Sequence, residues 1–239
     1  MPQFAANLTM LFTEEPFIDR FEAAAKAGFK AVEFLFPYAH TAQQVRNAAL
    51  EAGVQIVLHN LPAGDWDAGE RGIACLPDRV NEFREGVGKA IEYATALGVT
   101  QLNCLAGKAP AGADPAVLRA TFVGNLRYAA GQLGAHGIRL LIEPINTFDI
   151  PGFYLHGQYD IYHMQRMEGE LAATMQKHLP RIGHIQLADS PGRNEPGTGE
   201  ISYAFLFQHL DRIGYTGHIG CEYKPKTTTT AGLGWLAAL

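Results

Sequence analysis

The sequence is poor in cysteine and in charge. Three cysteines in 239 residues, Cys75, Cys104 and Cys221, make an odd count with no CxxC pair. That argues against a disulfide framework or a zinc ribbon and predicts small buried thiols in a reducing compartment. Charged residues make up 18% of the chain, below the roughly 25% of an average globular protein. There is no basic excess, since 19 Lys+Arg face 24 Asp+Glu for a net charge of −5. A general nucleic-acid or membrane-surface binder would carry a basic face, so neither partner is expected. No stretch approaches the roughly 18 apolar residues of a membrane span, and no basic segment precedes the first apolar run. A cytoplasmic location is the expectation. No GxGxxG or GxxxxGK[ST] loop follows a strand, which argues against a nucleotide-phosphate site.

What is present is a chain with 47% hydrophobic residues, enough for a folded core. The low charge at this size is compatible with a subunit interface in a homo-oligomer. Strand-like runs alternate with helical runs from end to end. The strands are Phe4–Met10, Ala31–Phe36, Val54–Leu61, Gln101–Leu105, Arg139–Ile145, Gln158–Tyr162, Gly183–Ala188 and His218–Tyr223. The helices are Pro16–Ala27, Thr41–Ala52, Asp78–Leu97, Asp114–His136, Glu168–His178 and Tyr203–Arg212, with a short last one in Thr229–Leu239. In the first helix Phe17, Phe21, Ala24 and Ala25 fall on one face of a 3.6-residue period. Gly28, Gly53, Gly98, Gly137 and Gly214 read as helix stops. Alternation of this kind means parallel strands joined by right-handed crossovers, and eight units close a barrel. The fold expected is α/β, a single (β/α)8 TIM barrel over residues 1–239. The rival, an open doubly wound sheet, lacks its phosphate loop.

One place breaks the pattern. Between Arg139–Ile145 and Gln158–Tyr162 lie only Asn146–Gly157, too short and too broken by Pro151, Gly152 and Gly157 for a crossover helix. The helix between strands 5 and 6 is missing from the chain. Twelve extended residues still span about 40 Å, so the chain can return without it.

Polar groups collect toward the C-terminal ends of the last four strands, where a parallel barrel carries its chemistry. Glu143 lies in LLIEPIN, Asp160 in QYDIYHM, His184 and Gln186 in GHIQLAD, and Glu222 in IGCEYKP. A carboxylate buried alone in an apolar strand costs several kcal/mol, so each should be paired, protonated or bound to metal. Carboxylates with an amide oxygen make a hard-ligand set suited to Mg²⁺ or Mn²⁺, and a nitrogen from His184 would favour Mn²⁺ or Co²⁺. His184 and Gln186 share a strand face, and Gln186 is nearer the C-terminal mouth, which favours Gln186.

The chain resembles hydroxypyruvate isomerases, of the xylose-isomerase-like TIM-barrel sugar isomerases and epimerases. The resemblance runs through FAANLTMLF, LHNLPAGDWDAGERGIACLP, LLIEPINTFDIPGF, QYDIYHMQRMEGE, EPGTGEI and GCEYKP, and covers essentially the whole chain. It implies Glu143, Asp160, Gln186 and Glu222 as metal positions, with Glu143 and Glu222 also the catalytic acid/base pair. The reaction implied interconverts hydroxypyruvate and tartronate semialdehyde through an enediolate, one glutamate removing a proton and the other returning it. Family members normally carry a full helix and the start of the next strand between the segments matching His156–Gly157 and QYDIYHM, whereas this sequence joins them directly.

The carboxylate of such a hydroxy-oxo acid substrate needs a cationic or N–H-rich pocket. Candidates are His59, Arg71, Lys108, His163 and Lys224, all at strand ends or in mouth loops. The long GDWDAGERG loop reads as a lid, with Trp66 either closing over a ligand or packing on the barrel. Asn7 is a rim hydrogen bonder or a locally satisfied amide, the EPGTGEI glycines permit turns near an anion, and Glu200 is placed to pair with a base. Phe34, Phe36 and Phe153 read as core or pocket wall. Other readings are an isomerase of a four-carbon oxo-tetronate, a ketose 3-epimerase, and an inactive barrel. Epimerases of this group usually place histidine where Gln186 stands, and a zinc-dependent endonuclease would want more His and Asp ligands and a basic groove.

Overall fold

A computed structural model of the chain describes residues 2–143, 145–151, 154 and 159–238. The described chain falls into two compact units. The first comprises Met1–Phe34, Asn47–Val57 and Tyr159–Leu239, the second Leu35–Arg46 and Leu58–Gln158. The described strands pair in parallel, as crossover connections require.

In the first unit β1 (Gln3–Asn7) lies between β2 (Ala31–Glu33) and β7 (His218–Cys221), and β7 pairs with β6 (Ile185–Leu187) on its other side. The register sets Asn7 beside Glu33, Ala5 beside Gly220, and Gly220 beside Gln186. Helix α1 (Arg20–Lys26) buries Phe21 and Ala24, and Phe21 meets Phe34 and Phe17 edge-on at 5.9 and 5.6 Å. Phe34 is therefore core. Helix α7 (Tyr203–Ile213) buries Phe207 and Leu210 and ends at Gly214, whose φ of 81° lets the chain turn back without strain. A 3₁₀ segment, Ala231–Ala238, replaces the last helix, and Trp235 meets Phe4 and Phe207 at 5.2 and 6.1 Å.

The sixth strand expected over Gln158–Tyr162 is not formed as such. Gln158 lies outside the described residues, and Asp160 alone makes a parallel bridge, to Gln186. The chain then enters helix α5 (Ile161–Met167), because the Asp160 carboxylate accepts the N–H groups of Tyr162 and His163 at 2.7 and 3.2 Å. Those two donors open the helix and have no partner within it, so the aspartate is its N-cap. The helix expected from Glu168 begins later, as α6 (Leu171–His178).

In the second unit β4 (Gln101–Leu105) pairs with β3 (Gln55–Asn60), whose last three residues belong here, and with β5 (Arg139–Glu143). Helix α3 (Val80–Leu97) stops at Gly98 with φ 71°, and α4 (Pro115–Gly134) starts on an Asp114 cap that accepts from the Ala116 N–H at 2.8 Å. Helix α2 (Ala42–Ala52) opens on the capping pair Thr41 and Gln44. Cys75, Cys104 and Cys221 are free and buried. Burial holds the first two as neutral thiols, raised to about 11 and about 12. Among the described residues no helix is long and apolar enough to cross a membrane.

Candidate active site

The first unit places a carboxylate at its centre that the sequence reading did not single out. Glu33, the last residue of β2, is 1% exposed. Its Oε1 accepts hydrogen bonds from Asn7 Nδ2 and from Gln186 Nε2, each at 2.9 Å. Its Oε2 meets His184 Nε2 at 2.6 Å. Asn7 is the strand partner of Glu33, and His184 and Gln186, two residues apart on the chain running through β6, project to one side, with β1 and β7 between β6 and β2. Room for the carboxylate comes from Gly220, because a Cβ there would overlap both Glu33 oxygens. His184 Nδ1 is buried and makes no hydrogen bond among the described residues.

Asp160 is buried at 1% exposure and uses Oδ1 to cap α5. Among the described residues its Oδ2 has no hydrogen-bond partner, and His163 Nε2 stands 3.6 Å from it. His163 is itself buried in the first turn of α5. Glu222, one residue beyond β7, is buried and accepts from Arg193 Nη2 at 2.9 Å. Arg193 takes a left-handed φ of 54° and lays its guanidinium 5.4 Å from the Tyr162 ring centroid. Lys224 is exposed at its side chain and engages the same loop through its backbone: its N–H donates to Arg193 O and its carbonyl accepts from Asn194 Nδ2, each at 2.8 Å.

The EPGTGEI loop does turn on an anion, and that anion belongs to the protein. Asp189 Oδ2 accepts from the Gly197 and Gly199 N–H groups at 2.8 and 2.9 Å, and Oδ1 from Ser190 and Ile201 at 2.9 and 3.1 Å. Glu200 meets Gln165 Nε2 at 3.3 Å rather than a base. Sequence reasoning therefore missed Glu33, Arg193 and Asp189.

In the second unit Glu143 closes β5, buried, and accepts from Asn103 Nδ2 at 2.8 Å. Leu105 is the register partner of Glu143, so Asn103, two residues earlier, faces the same side. His59 on β3 is wholly buried, with Nδ1 3.1 Å from the Asn60 carbonyl. Desolvation pushes its pKa down to about 4, so it is neutral at pH 7 and offers hydrogen bonding rather than charge. Arg71 donates to the Trp66 and Glu70 carbonyls at 2.9 and 2.6 Å and stacks 3.9 Å from the Trp66 ring. Trp66 packs on Phe36 at 5.0 Å, and Lys108 donates to Gly69 O at 2.8 Å. The loop is thus strapped to its own unit. Phe153 lies outside the described residues.

Within the first unit Asp160 has a buried carboxylate oxygen with no hydrogen bond from the described residues, and Gln186 spends its nitrogen on Glu33, so each keeps an oxygen to offer. Oxygen donors of this kind suit hard cations such as Mg²⁺ or Mn²⁺.

Comparison with known proteins identifies the class. The family model of the xylose isomerase-like TIM barrel matches residues 21–156 and 154–239. The chain belongs to that family, and it is an isomerase. It is 54% identical to the hydroxypyruvate isomerase of Escherichia coli over 254 positions, covering 99% of this chain and 98% of the relative. It is 48% identical to the 2-oxo-tetronate isomerase of Cupriavidus necator over 99% and 98% of the two chains. A crystal structure of an AP endonuclease, family 2, from Brucella melitensis superposes with a TM-score of 0.96 at 41% identity, covering 100% and 99%. An alignment of 254 positions against 239 residues leaves at least 15 positions of the E. coli enzyme without a counterpart. The family match comes in two segments that meet at 154–156, inside the stretch whose sequence is too short for a crossover helix.

Proposed function

We propose that the chain, acting as one barrel domain, interconverts hydroxypyruvate and 2-hydroxy-3-oxopropanoate (tartronate semialdehyde) in the cytoplasm. The observation that carries this is full-length identity of 54% to a hydroxypyruvate isomerase in a chain that keeps Glu143 and Glu222 buried at strand ends. In this reading Glu143, Asp160, Gln186 and Glu222 hold a divalent ion, Mg²⁺ or Mn²⁺. The ion supplies Lewis-acid stabilisation of charge on the substrate oxygens.

The chain's own residues do the rest. Glu143 and Glu222 exchange the proton between adjacent carbons, one removing it and the other returning it, work typically worth about 10²–10⁴-fold. Asn103 fixes the Glu143 carboxylate, and Arg193 fixes that of Glu222 through a charge-assisted hydrogen bond. His163 stands beside Asp160 as a hydrogen-bond donor to substrate. His59, neutral, contributes an N–H or a lone pair. Arg71, Lys108 and Lys224 are the cations proposed to attract the substrate carboxylate, and Arg71 and Lys108 hold loop carbonyls without it.

A second reading, isomerisation of a four-carbon 2-oxo-tetronate, is favoured by the 48% identity to that enzyme. One experiment separates them. Solvent-deuterium incorporation into each compound is followed by NMR with Mg²⁺ and with EDTA, for the unsubstituted protein, Glu143→Gln and Glu222→Gln. Exchange in one compound, falling about a hundredfold or more in both variants, is expected. Exchange in neither compound, or exchange indifferent to both substitutions, would overturn the proposal.

A further inference from the structure

We infer that Glu33 is a positioning residue that sets which end of the Gln186 amide is available as a ligand. This rests on the reading of Gln186 as a metal position and goes beyond it by assigning a role to a residue outside the proposed ligand set. An amide has one coordinating end, its oxygen, and its two ends differ little in shape. The Gln186 atom 2.9 Å from Glu33 Oε1 is the nitrogen, which donates there, so Oε1 of Gln186 is turned away. The same holds for Asn7, whose nitrogen reaches the same oxygen at 2.9 Å. His184 Nε2 occupies Oε2 at 2.6 Å. With both oxygens engaged and 1% exposure, Glu33 is a fixed acceptor. Gly220 supplies the space that lets it reach this point.

Glu33→Gln is nearly isosteric and removes the constraint, since an amide in place of the carboxylate can donate to a flipped Gln186 oxygen. Loss of a group that orients a ligand costs about 10–100-fold in metal affinity. Mn²⁺ binding is measured by EPR titration of the full chain, without substrate, for the unsubstituted protein, Glu33→Gln, Gln186→Glu and the double variant. Glu33→Gln should weaken Mn²⁺ about 10–100-fold. Gln186→Glu should also weaken it, because two carboxylates then face each other in a buried site. The double variant should recover affinity, because the two groups have then exchanged places. The introduced amide donates to one oxygen of the introduced carboxylate and leaves the other free. A purely structural role for Glu33 predicts added losses and no recovery.

Should Glu33→Gln fail to fold, the unsubstituted protein still decides. The Gln186 side-chain NH₂ resonances, assigned by their loss in Gln186→Glu, should stay protected from solvent exchange before and after Mg²⁺ is added. Mn²⁺ binding by the unsubstituted protein with no change in Glu33→Gln, or loss of NH₂ protection on adding Mg²⁺, would overturn this inference alone. No Mn²⁺ binding by the unsubstituted protein would overturn the metal reading and this inference with it.

Discussion

A single methyl group at position 220 tests how tightly the first unit is built around Glu33. A Cβ there falls on the carboxylate carbon and both oxygens, so Gly220→Ala must displace Glu33. The carboxylate accepts from Asn7 and Gln186 at 2.9 Å and meets His184 at 2.6 Å. Hydrogen bonds to a charged group are worth about 1.5–3 kcal/mol each, and overpacking a tight core costs about 1–3 kcal/mol. Losing one or two of the three bonds while relieving part of the overlap gives a cost of about 3–5 kcal/mol. Against a total stability of about 5–15 kcal/mol that is a large share, and it lowers Tm by roughly 6–20 °C for a chain of this size. The assay is urea unfolding at pH 7, followed by circular dichroism, for Gly220→Ala in two backgrounds. With Glu33→Ala the methyl enters space the carboxylate has left, so there the same substitution should cost less than about 1 kcal/mol. A cost below about 1 kcal/mol in the unsubstituted background, or equal costs in both, would refute the packing argument.

Two further outcomes follow from single side chains. The pKa of His59 falls from 6.5 to about 4, so between those values the unfolded chain binds a proton that the folded chain does not. Stability is therefore lost as pH falls from 6.5 to 4, by about 3 kcal/mol from this residue. The drop in urea midpoint between pH 7 and pH 4.5 should shrink in His59→Gln, and an unchanged drop would count against the burial argument. Asp160→Asn keeps an equally good N-cap for α5, so its Tm should lie within about 4 °C of the unsubstituted protein. Its Mn²⁺ affinity should nevertheless fall about tenfold or more, and unchanged affinity would remove Asp160 from the ligand set.

The fold was legible where local rules act alone. Strand β4, Gln101–Leu105, has the bounds that the pattern predicts, and α3 and α7 stop at the expected glycines. Strands end before their apolar runs do, as in Ala31–Glu33 against the expected Ala31–Phe36, because an apolar run does not report where ladder bonds cease. The segment QYDIYHM failed for a different reason. Its apolar residues suit a buried strand, but Asp160 captures the next two free N–H groups and starts a helix within one residue of the bridge to Gln186. The signal was available, since aspartate before a run without proline is an N-cap candidate.

The site was legible in part, and its omissions share a cause. Glu33 ends an apolar strand as Glu143 does, and as Glu222 directly follows one, so the rule that a buried acid must be compensated applies to it equally. Its partners, however, lie 26, 151 and 153 residues away, and no spacing in the sequence advertises them. Asp189 is similar: four backbone N–H groups answer its charge, and backbone donors leave no mark on composition. Once partners are visible, the same rule sorts the acids. Glu33 and Asp189 have both oxygens engaged by the protein, which suits them to hold other groups in place. Asp160 keeps one buried oxygen with no hydrogen bond from the described residues, His163 Nε2 standing 3.6 Å away, and a buried acceptor left so costs about 1–3 kcal/mol unless something else answers it. Unmet acceptor capacity, more than the mere presence of a carboxylate in a strand, is what distinguishes a candidate ligand from a scaffold here.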